Sequence, residues 1–461
     1  MAMLPDIVLL EVFDFYRGDP TSKILFSISW SWKTLIRVCR RWRQIVFGSP
    51  RRLDLRIVCS ETTPVRTSLD IWPLFPISIF STRVDEKGIG NIVSAVERGR
   101  ERTSGFYIVN ITSPALRKLS AVMHGPFPVL TEIYLKSTDE SVPILPETFG
   151  GSAPHLQHVV IEGISFLSFP KIILSATHII YLDLFDIPRS GYISPEELAT
   201  CLTTLPNLMT FSIGYRSPLS RPFQISSPPL TRAVLSSLTK LHFRGASEYF
   251  EDLLPRIHTP LLNWLSVVFF MSPIFNIPRL ESLIVEEEGL RPLGPAWVVI
   301  NYDGIKIVLG LPARIQLGIL SIHWDRQLSS LAQVCNQHLP ILSLVEQLNL
   351  TEVRGVSLNW KDDMDPSKWL ELLSPFIAIR DLYVSEQLVP FVAVALQELK
   401  GERTMEVLPV LKNLFLEGFQ PSGSIQGVMK AFVSARQLSG DPVVIHSEPP
   451  LAHPLVNPQD R

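Results

Sequence analysis

The chain is 461 residues long, 46% hydrophobic and 19% charged, with a formal net charge of -2. That is too apolar for a disordered protein, and it leaves room for several domains or for one small module and a long repeat array. So even a charge balance gives no global field for nucleic acid or an anionic membrane, and neither is an expected partner.

Two amphipathic helices are legible in residues 1–60. The first opens at Leu4-Pro5-Asp6, where proline suits the first turn and Asp6 sits at the positive end of the helix dipole. Ile7, Val8, Leu10, Val12 and Phe13 cover so much of its circumference that it needs partners on more than one face. The second is expected over Lys33–Phe47. Leu35, Val38, Cys39, Trp42, Ile45 and Val46 form one stripe there, and Arg37, Arg40, Arg41 and Arg43 form a solvated face. Pro50 ends it, and Arg51–Leu55 reads as a short extended segment.

Leu4-Pro5 with Ile7, Leu10, Val12 and Phe13, followed by Val38-Cys39-Arg40-Arg41-Trp42 and Ile45, resembles the F-box. The Arg17–Ser31 link is longer than in a plain F-box, as in F-box-like proteins of filamentous and mushroom-forming fungi, and the Trp30-Ser-Trp32 pair at its end is unusual for a plain F-box. The resemblance implies binding to a Skp-type adaptor, and through it to a cullin-RING ubiquitin ligase. It implies adaptor contacts, or packing that shapes them, at Leu4, Pro5, Ile7, Leu10, Phe13, Val38, Cys39, Trp42 and Ile45. A plain helical cap on a repeat array is the competing reading.

From about residue 115 the chain repeats one phrase: apolar, two variable, apolar, one variable, apolar. Copies begin at Leu130, Leu156, Ile179, Leu208, Leu238, Leu262, Leu280, Val345, Ile379 and Leu411. Helices with good punctuation lie between several of them. Ser194-Pro195-Glu196-Glu197 and Asp365-Pro366 open two, and 329–339 and 390–399 read as two more. Strand plus helix at a recurring period is the leucine-rich repeat signature, normally ~20–29 residues long. Here the period is loose. Ile164, Ile187, Val353 and Phe419 stand where an asparagine or cysteine ladder would run, so apolar packing must hold the array. Residues 286–344 are atypical. Trp297–Ile300 and Ile305–Leu309 read as a strand pair, Ile319 and Ile322 as a degenerate copy, and the insertion either disturbs the array or splits it in two.

The expected fold is therefore α/β: an N-terminal all-α F-box-like motif (1–60), an irregular leucine-rich repeat solenoid (61–445) and a disordered proline-rich tail (446–461). An ordinary parallel α/β domain is the alternative, set against ten copies of the phrase. Variable positions on the concave face are the candidate contacts for an unknown target protein: Glu132, Tyr134, Gln157, Asp183, Ser212, His242, Asn349, Tyr383 and Phe415.

No catalytic string supports an enzyme. Gly88-Ile-Gly90 is a lone fragment of a dinucleotide fingerprint, His155 and His158 have no third ligand nearby, and Asp362-Asp363-Met-Asp365 lacks the rest of a calcium loop. No cofactor or metal is expected. Cys39, Cys59, Cys201 and Cys335 are far apart and read as buried reduced thiols of a cytoplasmic or nuclear protein. Met1–Asp6 has no basic region of a secretory signal, and the apolar run near Leu261–Phe275 is interrupted by Asn263, Ser266 and Pro273, so no membrane span is expected. The functional expectation is a non-catalytic, target-recruiting subunit of a ubiquitin ligase, with a repeat scaffold unconnected to a ligase as the alternative.

Overall fold

The computed structural model describes residues 4–17, 35, 37–49, 55–60, 65–72, 74–82, 84, 86–139, 141, 143–166, 168–217, 232–270, 277–286, 295–301, 304–309, 315–320, 324–338, 340–352, 365–399, 401–417 and 424–447. Trp30, Trp32, Ile322, Val353, Asp362, Asp363, Phe419 and the tail after Ser447 lie outside the described residues. The chain divides into two compact units: Met1–Leu182 with Ser190–Tyr192, and Asp183–Arg189 with Ile193–Arg461.

Unit one opens with helices α1 (Asp6–Arg17) and α2 (Arg40–Gly48). Strands β1 (Leu55–Val58), β2 (Ile77–Ser81), β3 (Thr103–Ile108), β4 (Glu132–Lys136), β5 (Ile144–Leu145), β6 (His158–Glu162) and β7 (Ser165–Phe166) follow. β1, β2, β3, β4 and β6 pair in parallel in that order, and β5 pairs only with β7. Residues on alternate positions, among them Leu55, Ile57, Ile79, Ile133, Leu135, Val159 and Ile161, are buried on one face. Helices α3 (Val65–Ile71), α4 (Glu86–Gly99) and α5 (Ser113–Val122) pack one against the next between these strands, and α6 (Lys171–Leu174) is a single turn. The parallel ladder thus starts at Leu55, earlier than residue 61 and well before the first legible phrase at Leu130.

β8 (Tyr181–Ile187) straddles the division between the units. Unit two then contains β9 (Thr210–Tyr215), β10 (Ala233–Val234), β11 (Lys240–Gly245), β12 (Ile257–His258), β13 (Trp264–Phe270), β14 (Ala296–Asn301), β15 (Gly304–Leu309), β16 (Ile315–Leu320), β17 (Gln347–Glu352), β18 (Asp381–Val384), β19 (Asn413–Leu416) and β20 (Val444–His446). Its helices are α7 (Pro195–Leu202), α8 (Ser247–Leu253), α9 (Pro278–Glu286), α10 (Trp324–His338), α11 (Pro366–Leu373), α12 (Val389–Gln397) and α13 (Ser424–Leu438), the last four packing in succession. Parallel strands alternating with helices, and stacked leucine, isoleucine and phenylalanine rows beneath them, give the chain leucine-rich repeat character. Each fully buried Leu or Phe contributes about 1.5–3 kcal/mol.

The helix starts follow their local chemistry. Ser194 closes a capping box: its hydroxyl accepts from Glu197 N at 3.2 Å while Ser194 N donates to Glu197 Oε2 at 3.1 Å. Asp365 accepts from Ser367 N at 2.9 Å at the start of α11.

Nine of the ten phrases run into a strand; the copy at Leu280 is helix α9 instead. Leu280 and Ile284 are buried one helical turn apart, and Pro278 suits the first turn. The buried Glu251 on α8 accepts from Arg279 N and Leu280 N, both at 3.0 Å, which satisfies two donors at the helix start. The 286–344 insertion does not split the ladder. β16 pairs parallel with β13, β15 pairs antiparallel with both β16 and β14, and β14 pairs parallel with β17. His446, expected in the tail, ends strand β20. Ile164 and Ile187 are buried where a polar ladder would stand. Burial pushes the thiols of Cys59 and Cys201 up to about 12 and raises that of Cys335, whereas Cys39 is exposed, against expectation.

Candidate interaction surfaces

The N-terminal helices are joined to each other by specific contacts. Arg41 donates to Asp6 Oδ1 at 2.6 Å and also to the Leu4 carbonyl, and the rings of Phe13 and Trp42 lie 4.8 Å apart. The expected single stripe over Lys33–Phe47 is broken. Leu35, Arg37 and Val38 are helical, but Cys39 is extended at φ −158°, and its sulfur accepts from Trp42 N at 3.4 Å as the cap of α2. Arg41, read as part of a solvated face, instead joins Trp42 in tying α2 to α1.

This geometry sorts the residues singled out by the F-box resemblance. Phe13 and Ile45 are buried, Leu10 and Trp42 are half-buried, and Pro5 and Cys39 are exposed. Leu4, Ile7 and Val38 are 54%, 69% and 55% exposed, and Val8 and Val12 join them on the surface. Apolar side chains this open on one short helical pair are the signature of a contact surface rather than of a core.

The second surface is the sheet face turned away from the buried rows. In unit one, Arg56, Ser78, Gly105, Glu132 and His158 stand side by side, and Val58, Phe80, Tyr107, Tyr134 and Val160 form the next row. Glu132 accepts from the Tyr107 hydroxyl and lies 3.8 Å from His158 Nδ1. Gln157 is not in the row: it precedes β6, and its carbonyl accepts from Ile180 N and Tyr181 N. The neighbour of Glu132 is His158, one position later, because the strand begins there.

In unit two one register row runs Ser212, His242, Ser266, Gln316, Val308, Trp297, Asn349, Tyr383, Phe415 and His446. Five of the nominated positions therefore share one line. Ser212 is buried, whereas His242, Asn349, Tyr383 and Phe415 are half-buried. Asp183 is half-buried on β8. Tyr383, Phe415 and His446 stack face to face, with centroids 4.3 and 4.5 Å apart. Asn413 in the adjoining row donates to Asp381 Oδ1 at 2.8 Å, and its Oδ1 lies 3.2 Å from His446 Nε2. Burial, with Lys306 and Arg244 close by, lowers the His242 pKa to about 4. Burial, with Asp381 nearby, raises that of Tyr383.

Sequence reasoning missed His158, Arg244, Lys306 and His446. The first and last follow from shifting the phrase by one position or continuing it by one copy. The other two depend on the sheet order through the insertion.

Among the described residues, no three His, Cys, Asp or Glu side chains cluster as a metal site would require, and no helix is long and apolar enough to cross a membrane. No family model matches the chain, and no curated protein matches it. Among solved structures it is similar to a leucine-rich repeat-containing protein, LegL7 from Legionella pneumophila. The two are 14% identical over 85% of this chain and 99% of that one, with a TM-score of 0.28. The leucine-rich repeat character described above rests on this chain's own strand ladder.

Proposed function

We propose that the chain is a non-catalytic recruiting subunit of a cullin-RING ubiquitin ligase, cytoplasmic or nuclear. The N-terminal helices dock on a Skp-type adaptor, and the open sheet face holds a target protein. The observation that carries this reading is the exposure of Leu4, Ile7, Val8, Val12 and Val38 on a pair of helices already clamped together by Arg41 and Asp6. Covering those side chains in a partner gains about 25 cal/mol per Å² of apolar surface. The chain itself contributes proximity: holding a target beside a ubiquitin-charged enzyme raises the effective concentration of its lysines.

The test is affinity purification of the full chain with a Skp-type adaptor. Leu4→Ala with Pro5→Ala removes adaptor recovery while the urea midpoint stays unchanged. Unaltered recovery would remove the ligase role. The second reading, a repeat scaffold without a ligase role, is favoured by the half-buried ring row in unit two, which needs no adaptor to bind a partner. It stands alone if wild-type chain captures no adaptor.

A further inference from the structure

The open face of unit two carries two cations that no acid among the described residues neutralises. Arg244 lies on β11 and Lys306 on β15, in a register row that reads Gly214, Arg244, Val268, Gly318, Lys306. Among the described residues neither has a salt-bridge or hydrogen-bond partner, and Nε of Arg244 is buried without an acceptor. Both side chains are half-buried rather than free in solvent. Two other charged groups of unit two have partners: Arg216 meets Asp186 at 2.8 Å, and Asp381 accepts hydrogen bonds from Asn413 and Gln347.

The cations are also held in place. The Arg244 guanidinium lies 5.5 Å from the Phe185 ring centroid and 5.9 Å from that of Phe270. Gly214 makes room for the first of these, since a Cβ there would stand 2.7 Å from the Phe185 ring. In the neighbouring row are His242, Ser266 and Gln316, with Ser266 Oγ 3.5 Å from Gln316 Oε1. The depressed pKa of His242 reports the same unbalanced positive field, because Lys306 and Arg244 add to the effect of burial. A half-buried cation left unpaired costs stability, so the face is built for something other than folding alone.

We propose that Arg244 and Lys306 each take one carboxylate of an acidic segment of a protein partner, bound in extended form across the strands of unit two. This deepens the reading of the open face as the target-binding surface and rests on it. Three strand spacings of ~4.8 Å separate the two residues along the row, roughly 14 Å. An extended chain rises ~3.3 Å per residue and repeats its side every second residue, so two acids about four residues apart match that span on one side. Two separated cations suit two separated carboxylates, and a planar guanidinium suits a carboxylate particularly well.

The probe is a dye-labelled peptide of threonine and valine carrying two glutamates about four residues apart. Its binding to the full chain is read by fluorescence anisotropy. The peptide binds, its glutamine counterpart binds about tenfold more weakly, and added salt weakens the first but not the second. Arg244→Gln and Lys306→Gln each weaken binding about five- to tenfold, while Lys240→Gln, at an exposed position in another row, does not. Both variants keep their urea midpoint or raise it, since an unpaired charge has been removed, which separates loss of binding from loss of fold. Equal binding of the glutamate and glutamine peptides, or unchanged binding by both variants, overturns the proposal. Displacement by inorganic phosphate together with indifference to glutamate spacing also overturns it, in favour of a single-anion site. The peptide assay reads unit two alone, and adaptor recovery reads the N-terminal helices alone, so the two proposals fail separately.

Discussion

Arg41 and Asp6, far apart in sequence, meet at 2.6 Å, and the same guanidinium holds the Leu4 carbonyl. Arg41 is 34% and Asp6 64% exposed, so the pair contributes under about 1 kcal/mol to stability. Its consequence is alignment of α1 on α2. Arg41→Asp leaves the urea midpoint nearly unchanged and reduces recovery of the Skp-type adaptor. Adding Asp6→Arg restores part of that recovery, because the swapped pair re-forms although the Leu4 bond does not. A double variant no better than the single one would show that this pair does not set the docking geometry.

Trp369 on α11 is fully enclosed, with no exposed surface. Replacing it by alanine leaves a large cavity among packed helices and lowers unfolding stability by about 3–5 kcal/mol. Trp369→Phe costs less, about 1–2 kcal/mol, because less volume is lost and the indole Nε1 has no hydrogen-bond partner among the described residues. Urea denaturation of the two variants checks the order. Equal losses would mean that the group both variants remove, the indole N–H, and not the lost volume, accounts for the effect.

Nine strands from β4 onward were legible because their phrase keeps leucine-like residues at all three positions. The first three strands of the ladder were not read from it. β2 keeps the phrase in Leu74, Ile77 and Ile79 and was overlooked, whereas the leading positions of β1 and β3 hold Arg52 and the buried Thr103, whose hydroxyl donates to the Gly99 carbonyl at 2.8 Å. A polar residue satisfied by its own backbone does in β3 what leucine does elsewhere, and no pattern of apolar letters records it. The Leu280 copy misled for the opposite reason. Leucines three residues apart also fit a helix, and only the capping carboxylate of Glu251, brought in from α8, decides between them. The Arg244 and Lys306 pair was invisible because the reversed strand β15, placed between β16 and β14 out of chain order, determines which residues become neighbours.

Asp139 accepts from Ser113 N at 2.9 Å at the start of α5 and from Ser141 N at 3.0 Å. These bonds to Ser113 and Ser141 lower its pKa from 3.8 to about 2. A carboxylate whose folded pKa is depressed stabilises the fold above its unfolded pKa and loses that contribution as pH falls through the folded one. The window is therefore about pH 4 down to about pH 2. Asp139 is half-buried, so solvent screens these bonds in part and the loss is on the order of 1–2 kcal/mol. Asp139→Asn flattens this part of the stability profile. An identical acid slope in wild type and variant would assign it to other carboxylates.

His242 shifts in the same direction, but the form its folded environment favours is the neutral one. Its folded pKa is lowered from 6.5 to about 4, so the unfolded chain takes up a proton in a range where the folded chain does not. Stability therefore falls as pH drops from about 6.5 towards 4, and it is fully present above that window. Because Lys306 and Arg244 contribute after burial, removing one cation leaves part of the shift in place. Lys306→Gln raises the His242 pKa without returning it to 6.5, and Arg244→Gln, the smaller contributor, raises it less. Ring-proton NMR titration of His242 in the three proteins measures both. A His242 that titrates identically in all of them would mean that burial alone lowers its pKa, and that the two cations lie too far from the ring to act on a shared ligand.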